Sequence, residues 1–452
     1  MTRFTPTLRA CAAACLVAAA LPTLANPEPP GDALAALQAA FAAKVTPGPE
    51  AERHRELFAT VLQRVQRSHA REVDLASLAA AATKALAPLP AGRGDPAEVF
   101  KTVLNEALST LDGYTRYRDA RTYSNERTES SGSFGGLGLE VEPGDGAVRV
   151  IAPAPDSPAA RAGLQPGDLI VRVDGKPLQG VPLSEAVARM RGEPGTPISV
   201  TIRRAGREDE FTVSLTRDTI RRQAVRWTLE DKVLVVRLST FSAPVTAALT
   251  QAIAQASAQL APEAVVLDLR GNTGGLLREA VTTADTFLAQ GDIVSLKSRA
   301  GAPQRSWKAD ANEWLAGLPM VVLVDRRSAS ASELVAAALQ ENGRAKVMGQ
   351  RSYGKGTVQT TYPLAEGQGA IKVTTSYYIG PSGRSVQDTG VQPDIELLTG
   401  ADGAVAPATT GVRVLQSMCP AVAADPGLAC ALAYLRSGSL DAFNAATADF
   451  QP

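Results

Sequence analysis

The sequence predicts a multidomain α+β protein. Three observations lead there: helical apolar spacing over residues 31–111, short strands broken by glycine and proline turns over 133–217, and buried strands alternating with helices over 218–398. A chain of 452 residues exceeds one ordinary domain, and at ~150 residues per domain it has room for about three. Apolar residues make up 45% and charged residues 20%, the balance of a globular protein with cores to bury. The 46 basic and 46 acidic side chains cancel, so nothing favours nucleic-acid binding or a polybasic membrane contact.

Residues 1–25 read as a secretory signal. Arg3 and Arg9 precede an apolar run from Ala10 to Leu21, and Thr23-Leu24-Ala25 offers a small-residue cleavage site. That run is well short of the ~20 apolar residues of a spanning helix, which disfavours an uncleaved anchor. Cleavage near Ala25 places the mature chain in the periplasm or cell envelope. Cys419 and Cys430 then remain, either paired in an oxidising compartment or left as thiols. With only those cysteines and two histidines, a zinc site and thiol catalysis are both disfavoured, and no metal is expected.

Residues 26–128 form the expected N-terminal helical region, where Leu57, Val61, Leu62 and Val65 recur three or four apart. Pro88, Pro90 and Pro96 interrupt it, and Leu111-Asp112-Gly113-Tyr114 ends it in a turn. The apolar periodicity offers a surface for homodimerisation, and the polar run from Ser124 to Ser133 is expected to be mobile. Over 133–217, strands are expected at Val148–Ile151, Leu169–Val173 and Ile198–Arg203, with a helix at Leu183–Met190. In the α/β layered segment, 218–398, strands are expected at Ala264–Leu269 and Pro319–Val324, each followed by a helix, Leu276–Leu288 and Ala331–Gln340. Residues 399–452 read as an Ala- and Gly-rich linker to a short helical tail.

A Ser-His-Asp triad is disfavoured because the only histidines, His54 and His69, lie in the helical region, where both read as surface residues. No G-x-S-x-G elbow is present, so a serine nucleophile needs another base. Ser330, in Ser328-Ala329-Ser330-Ala331-Ser332-Glu333, begins the second helix of the α/β segment. By itself the Ser330/Glu333 spacing is a capping box, which needs no catalytic role. The preceding strand also ends in a loop, Arg270-Gly271-Asn272-Thr273-Gly274-Gly275. If the two loops lie side by side, N–H groups of Gly274 or Gly275 and of Ala331 converge at positive helix ends. An oxyanion hole needs that geometry, one donor being worth ~3 kcal/mol; otherwise the glycines form a plain turn.

Lys355, in Ser352-Tyr353-Gly354-Lys355-Gly356-Thr357-Val358-Gln359, is the candidate base. A free lysine with pKa ~10.4 is protonated at neutral pH, and burial can lower it by ~3–5 units. Taken alone it reads as a solvated loop residue. Gly349 to Lys355 nearly spells a phosphate-binding loop, but Gly356 stands where a hydroxyl should hold magnesium, and Thr357 to Tyr362 is strand-like where a helix is needed. No nucleotide or other cofactor is expected.

Gly136-Leu137-Gly138-Leu139, then Ser157-Pro158-Ala159-Ala160-Arg161-Ala162-Gly163-Leu164, then Pro166-Gly167-Asp168, resemble a PDZ domain of the bacterial protease type. Four further segments resemble the carboxyl-terminal processing (tail-specific) proteases, in that family's order. They are Val266 to Gly275, Ser328 to Glu333, Gly354 to Gln359, and Pro381-Ser382-Gly383-Arg384 followed by Gly390 to Ile395. The resemblance is strong from Phe134 to Ile395 and weak from Leu57 to Tyr123. The chain departs from the common pattern at Gly113 and Thr273, where proline is usual, and at Gly380, where threonine is frequent.

The resemblance implies a crotonase/Clp-protease-like α/β catalytic domain and a serine endopeptidase that cleaves exported proteins near their C-termini. It implies Ser330 as nucleophile, Lys355 as general base, Gln359 as the group orienting the lysine, and Ala331 with Gly274 or Gly275 as the oxyanion hole. Gly136, Leu137, Gly138 and Leu139 would receive substrate tails by strand addition. An adaptor protein is a further partner to expect, and Arg191 is a candidate for coupling the PDZ domain to the site. Two other readings keep the same scaffold: a catalytically silent PDZ-containing binding protein of the envelope, and an acyl or thioester hydrolase.

Overall fold

A computed structural model of the chain describes residues 31–221, 223–299, 303–365, 367–399, 412–420 and 423–448, and the expected leader lies outside them. Four helices open the described chain, Gly31–Ala42, Pro49–Ser68, Leu75–Leu86 and Pro96–Ser109. Asp74 and Asp95 cap the third and fourth by accepting from first-turn N–H groups, and Pro49 and Pro96 sit where a missing N–H does no harm. Leu57, Val61, Leu62 and Val65 are buried as their spacing requires, against a cluster in which Phe58 and Phe100 have ring centroids 4.7 Å apart. The same core takes in Tyr117, Ile371 and Val373. Strand Arg116–Arg118 pairs antiparallel with Ala370–Ile379, which belongs to the α/β part of the chain. The periodicity that suggested a dimer surface is therefore used within the chain.

The polar run expected to be mobile is instead part of a helix, Ala120–Ser130, with Asp119 as its cap and no buried residue. It lacks the apolar stripe that marks a helix in sequence. It is a polar connecting helix held by its ends and by Glu126, which pairs with Arg118 at 2.7 Å and Lys372 at 4.0 Å.

The second region is an antiparallel sheet of strands ordered Leu139–Gly144, Ala147–Pro153, Leu169–Val173, Pro197–Arg203 and Phe211–Thr216, with the short Lys176–Pro177 against the third. Ile198, Val200 and Ile202 point inward at the two-residue period of a half-buried strand. Helix Leu183–Met190 packs on this sheet through Ala186 and Met190. Leu139–Gly144 lies at the sheet edge, so one row of its backbone groups is open to another strand.

The third region is built on a sheet ordered Val225–Glu230, Val233–Leu238, Ala264–Asp268, Met320–Val324, Lys346–Gly349, Ile395–Leu398 and Val412–Leu415. The first pair is antiparallel and every later pair parallel. Ala264–Asp268 and Met320–Val324 are wholly buried, as central strands covered on both faces must be. Val265, Leu267, Val322 and Val324 face helices Val245–Gln259, Leu277–Asp285 and Ala331–Glu341, while Val266, Val321 and Leu323 face the other layer. A second sheet, with Thr357–Pro363 and Asp292–Lys297 on either side of Ala370–Ile379, lies beside it.

The C-terminal segment is more than an appended tail. Val412–Leu415 extends the central sheet, and helices Pro426–Ser437 and Leu440–Ala448 bury Cys430, Leu432 and Phe443 against its second face. Sequence patterning missed this strand because it is only four residues long and follows a low-complexity stretch. Cys419 and Cys430 form a disulfide across a separation of 11 residues. Closing so short a loop stabilises by about 3 kcal/mol in the chain-entropy account. Replacing both cysteines by serine is expected to lower unfolding stability by about that amount, read from urea unfolding with midpoint and slope both fitted.

Candidate active site

Strands Ala264–Asp268 and Met320–Val324 are parallel neighbours, so the loops leaving their C-terminal ends lie side by side. Hydrogen bonds stitch them together: Ala329 N–H donates to the Asn272 carbonyl at 3.0 Å, Ser332 Oγ to the same oxygen at 2.8 Å, and Ser328 Oγ to the Leu269 carbonyl at 2.9 Å. The loops touch at Gly274, where φ is +103° and an added Cβ would lie 2.8 Å from the Ala329 carbonyl oxygen and 2.9 Å from Ser330 Cβ. No other residue fits there.

Ser330 precedes helix Ala331–Glu341 with φ 57° and ψ −113°. An ordinary N-cap takes an extended backbone, whereas this conformation is held against a steric penalty of about 1–3 kcal/mol for a residue with a Cβ. The residue is buried, 8% exposed. Glu333 keeps its half of the capping pattern, accepting from Ser330 N–H at 2.7 Å through Oε2. That carboxylate, fully buried, does more. Oε2 also accepts from Lys355 N–H at 2.8 Å, and Oε1 accepts from Gly354 N–H at 2.6 Å and Ser352 Oγ at 2.5 Å. One side chain therefore binds the backbones of both Ser330 and Lys355.

The Gly274 N–H donates to Asn272 Oδ1 at 2.9 Å, while the Gly275 and Ala331 N–H groups take no partner among the described residues. Gly275 is fixed by the Phe241 backbone, which donates to the Gly274 carbonyl at 3.0 Å and accepts from Leu276 N–H at 2.7 Å. Arg270, at the root of this loop, is held by Asp268 at 2.8 Å and by Asp425 of the tail at 2.6 Å. Burial works against its charge, but the two carboxylates raise its pKa well above the ordinary value.

Lys355 is half-buried, and its ammonium lies 4.6 Å from the centroid of the Tyr114 ring. Burial pushes its pKa down and Lys372 pushes it further, against opposing pulls from Glu333 and Asp112. No hydrogen bond joins Lys355 Nζ to Ser330 Oγ among the described residues. The Ser330 side chain faces the phenol of Tyr378, whose own pKa burial raises to about 12. Gln359, on strand Thr357–Pro363, donates through Nε2 to Thr357 Oγ1 at 2.9 Å and Thr374 Oγ1 at 3.5 Å.

Tyr114 and Tyr378 are the residues that sequence reasoning missed. Neither lies in a motif that assigns it a role; only the turn at 111–114 was visible. His69, expected at the surface, is 3% exposed. Its Nε2 donates to Asp112 Oδ2 at 2.8 Å, and its Nδ1 accepts from Arg71 N–H at 3.1 Å. Burial alone would raise the Asp112 carboxyl, but bonds from His69 and from Thr115 and Tyr114 hold it well below the usual carboxylate range.

Of the expected tail-binding residues, Leu137 is buried and Gly138 has φ +71°. The Leu137 and Gly138 carbonyls accept from Ala159 N–H at 3.0 Å and Ala154 N–H at 2.8 Å, which turns this loop's carbonyls inward. Gly136 ends a strand paired with Asp218–Arg221, and Leu139 starts the edge strand. Arg191 stacks over the Phe134 ring at 4.7 Å and lies 3.7 Å from Glu129 on the connecting helix.

The profile of peptidase family S41 matches residues 232–397, and a PDZ-domain profile matches residues 149–204, beginning after Gly136–Leu139. A carboxy-terminal-processing protease of Bartonella bacilliformis is 40% identical over 304 residues, covering 67% of this chain and 70% of that one. A carboxyl-terminal-processing protease of Synechocystis is 38% identical over 301 residues, 65% of this chain and 70% of that one. Among solved structures, a photosystem II D1 C-terminal processing protease aligns at 29% identity and a TM-score of 0.48, covering 77% of this chain and 93% of the other. On the sequence relatives and family profiles the chain belongs to the carboxyl-terminal processing proteases of peptidase family S41, serine-type endopeptidases that carry a PDZ domain.

Proposed function

We propose that Ser330 and Lys355 are the nucleophile and general base of this endopeptidase, acting on peptide bonds upstream of C-terminal tails held by the PDZ domain. The observation that carries this reading is the Glu333 carboxylate, which binds the backbones of both residues and so makes one site of two distant segments. The neutral amine of Lys355 takes the Ser330 hydroxyl proton as Oγ attacks the scissile carbonyl. The proton passes to the leaving amine, the peptide C–N bond breaks, and an acyl-enzyme remains until water, deprotonated in the same way, releases it. Gly275 and Ala331 N–H groups receive the oxyanion, since Gly274 N–H is committed to Asn272. Gln359, four residues on in the strand that follows Lys355 and held by Thr357 and Thr374, is assigned the orienting of the amine.

The paired strand-to-helix loops support a crotonase/Clp-protease-like catalytic domain over 218–398, with PDZ boundaries at 133–217 and a helical region at 26–128 that shares its core with the catalytic part. Proteases of this family are typically exported, and residues 1–25 fit a leader for that route. Digestion of one unfolded protein by the wild type, Ser330→Ala and Lys355→Ala tests the dyad: proteolysis surviving in both variants removes it.

Tail capture rests on the open edge at Leu139–Gly144 and on the Gly136–Leu139 loop. At Gly138 an added Cβ would lie 2.3 Å from Ser157 Cβ at a φ that L residues resist. Gly138→Ala is expected to raise KM for a substrate with a free C-terminal carboxylate by about tenfold, ~1.4 kcal/mol, and to leave KM for the amidated substrate unchanged. Equal effects on both substrates would remove the carboxylate from the binding scheme.

A further inference from the structure

The ring under the Lys355 ammonium comes from the N-terminal helical region. Tyr114 follows helix Pro96–Ser109 in a turn that Asp112 builds, Oδ1 accepting from Tyr114 N–H at 2.6 Å and Thr115 N–H at 2.7 Å. Asp112 Oδ2 accepts from Thr115 Oγ1 at 2.9 Å and from buried His69 at 2.8 Å. Thr374 N–H in turn donates to Thr115 Oγ1 at 3.1 Å, and Ala70 N–H to the Thr374 carbonyl at 2.8 Å. The turn is thus bonded to the strand bordering Lys355, and its ring is aimed rather than loosely packed. At 4.6 Å the ring face attracts a charged ammonium and does little for a neutral amine.

We propose that Tyr114 is a positioning residue for the base: its ring holds the Lys355 ammonium and sets how alkaline the medium must be before that amine accepts the Ser330 proton. The inference rests on Lys355 being the proton acceptor. Losing the proton weakens the hold on the ring and lets the amine turn to Oγ, so the resting and working positions of the base correspond to its two protonation states. The other charges around the amine are Lys372 on the neighbouring strand, Glu333 on the nucleophile's helix and Asp112 in the turn; Tyr353 and Asp388 lie beside Tyr114 itself. Both variants lose the Tyr114 hydroxyl's bond to Tyr353, so that loss is common to them and the ring face is what separates leucine from phenylalanine.

The test compares pH profiles of kcat/KM for the wild type, Tyr114→Leu and Tyr114→Phe. Leucine keeps apolar cover over the amine but has no ring face, and phenylalanine keeps the face. The acid limb of Tyr114→Leu is expected to move down by about 0.5–1 pH unit, raising activity about 3- to 10-fold at a pH well below the limb. In Tyr114→Phe the limb stays in place. An unmoved limb in the leucine variant, an upward shift, or an equal shift in both variants overturns the proposal. A purely structural role would lower kcat without moving the limb. Should the leucine variant fail to fold, the wild type still decides: the Lys355 ε-methylene protons, assigned with Lys355→Arg, are expected upfield of the other lysines below the limb. Ordinary positions there overturn it. Persistent activity in Lys355→Ala would instead remove the base, and the positioning role with it.

Discussion

Ser330→Ala and Lys355→Ala are each expected to lower kcat/KM by at least about 10⁴-fold, with the double variant no slower than the slower single one. The non-additivity is the informative part. A hydroxyl without a proton acceptor is a poor nucleophile, and an acceptor without the hydroxyl has nothing to activate, so the second loss removes nothing that remained. Lys355→Arg is expected to be as inactive as the alanine variant, since a guanidinium stays charged at any workable pH. In the wild type the sign of the pH dependence follows from burial. Burial disfavours the charged amine, so its pKa lies below that of free lysine; kcat/KM therefore falls tenfold per pH unit below that pKa and levels off above it. Single-turnover cleavage of a labelled unfolded substrate measures all four variants. A double variant slower than either single one by the product of their losses would show two independent roles instead of a dyad.

Glu333→Gln is expected to reduce stability by about 3–5 kcal/mol and kcat by at least about 100-fold where the protein is still folded. The carboxylate accepts from four donors, those of Ser330, Ser352, Gly354 and Lys355. An amide offers one acceptor oxygen and sets its NH₂ against N–H groups, leaving buried donors unsatisfied at about 1–3 kcal/mol each. The backbones of Ser330 and Lys355 then lose their common anchor, and a shift of 1 Å between reacting groups suffices for the kinetic loss. Since tail capture occurs elsewhere, KM is expected to change little. Urea denaturation gives the first quantity and steady-state kinetics at reduced temperature the second. A variant of wild-type stability would show that water replaces the missing acceptor.

The chemistry was legible where it sits in short contiguous runs. Lys355 stands between two glycines that mark a loop, and Ser330 and Glu333 share one run at a helix start; that the two strand-to-helix loops lie side by side was only a condition in the sequence, met by the parallel pairing of their strands. Tyr114 and Tyr378 were not legible because their places beside Lys355 and Ser330 exist only once distant segments meet. The Thr115–Thr374 contact that delivers Tyr114 spans 259 positions, and nothing local at either end announces it. His69 looked like a surface residue because it ends an amphipathic helix, but its Asp112 partner lies 43 positions away. The helix Ala120–Ser130 and the strand Val412–Leu415 escaped for a different reason: one has no apolar stripe and the other is too short to show a period.

Strand Ala370–Ile379 carries Tyr378 on one stretch and, through Ile371 and Val373, closes the bottom of the four-helix core on another. The smallest working enzyme is therefore longer than the stretch that carries Ser330 and Lys355. Trimming back to the PDZ domain would strip the cover from two aliphatic side chains and remove Asp112 and Tyr114 in the same cut. A shortened version meant to keep its catalytic power has to retain the buried helix positions from Leu37 on, and random truncation libraries should lose solubility and turnover together as the cut passes into these helices.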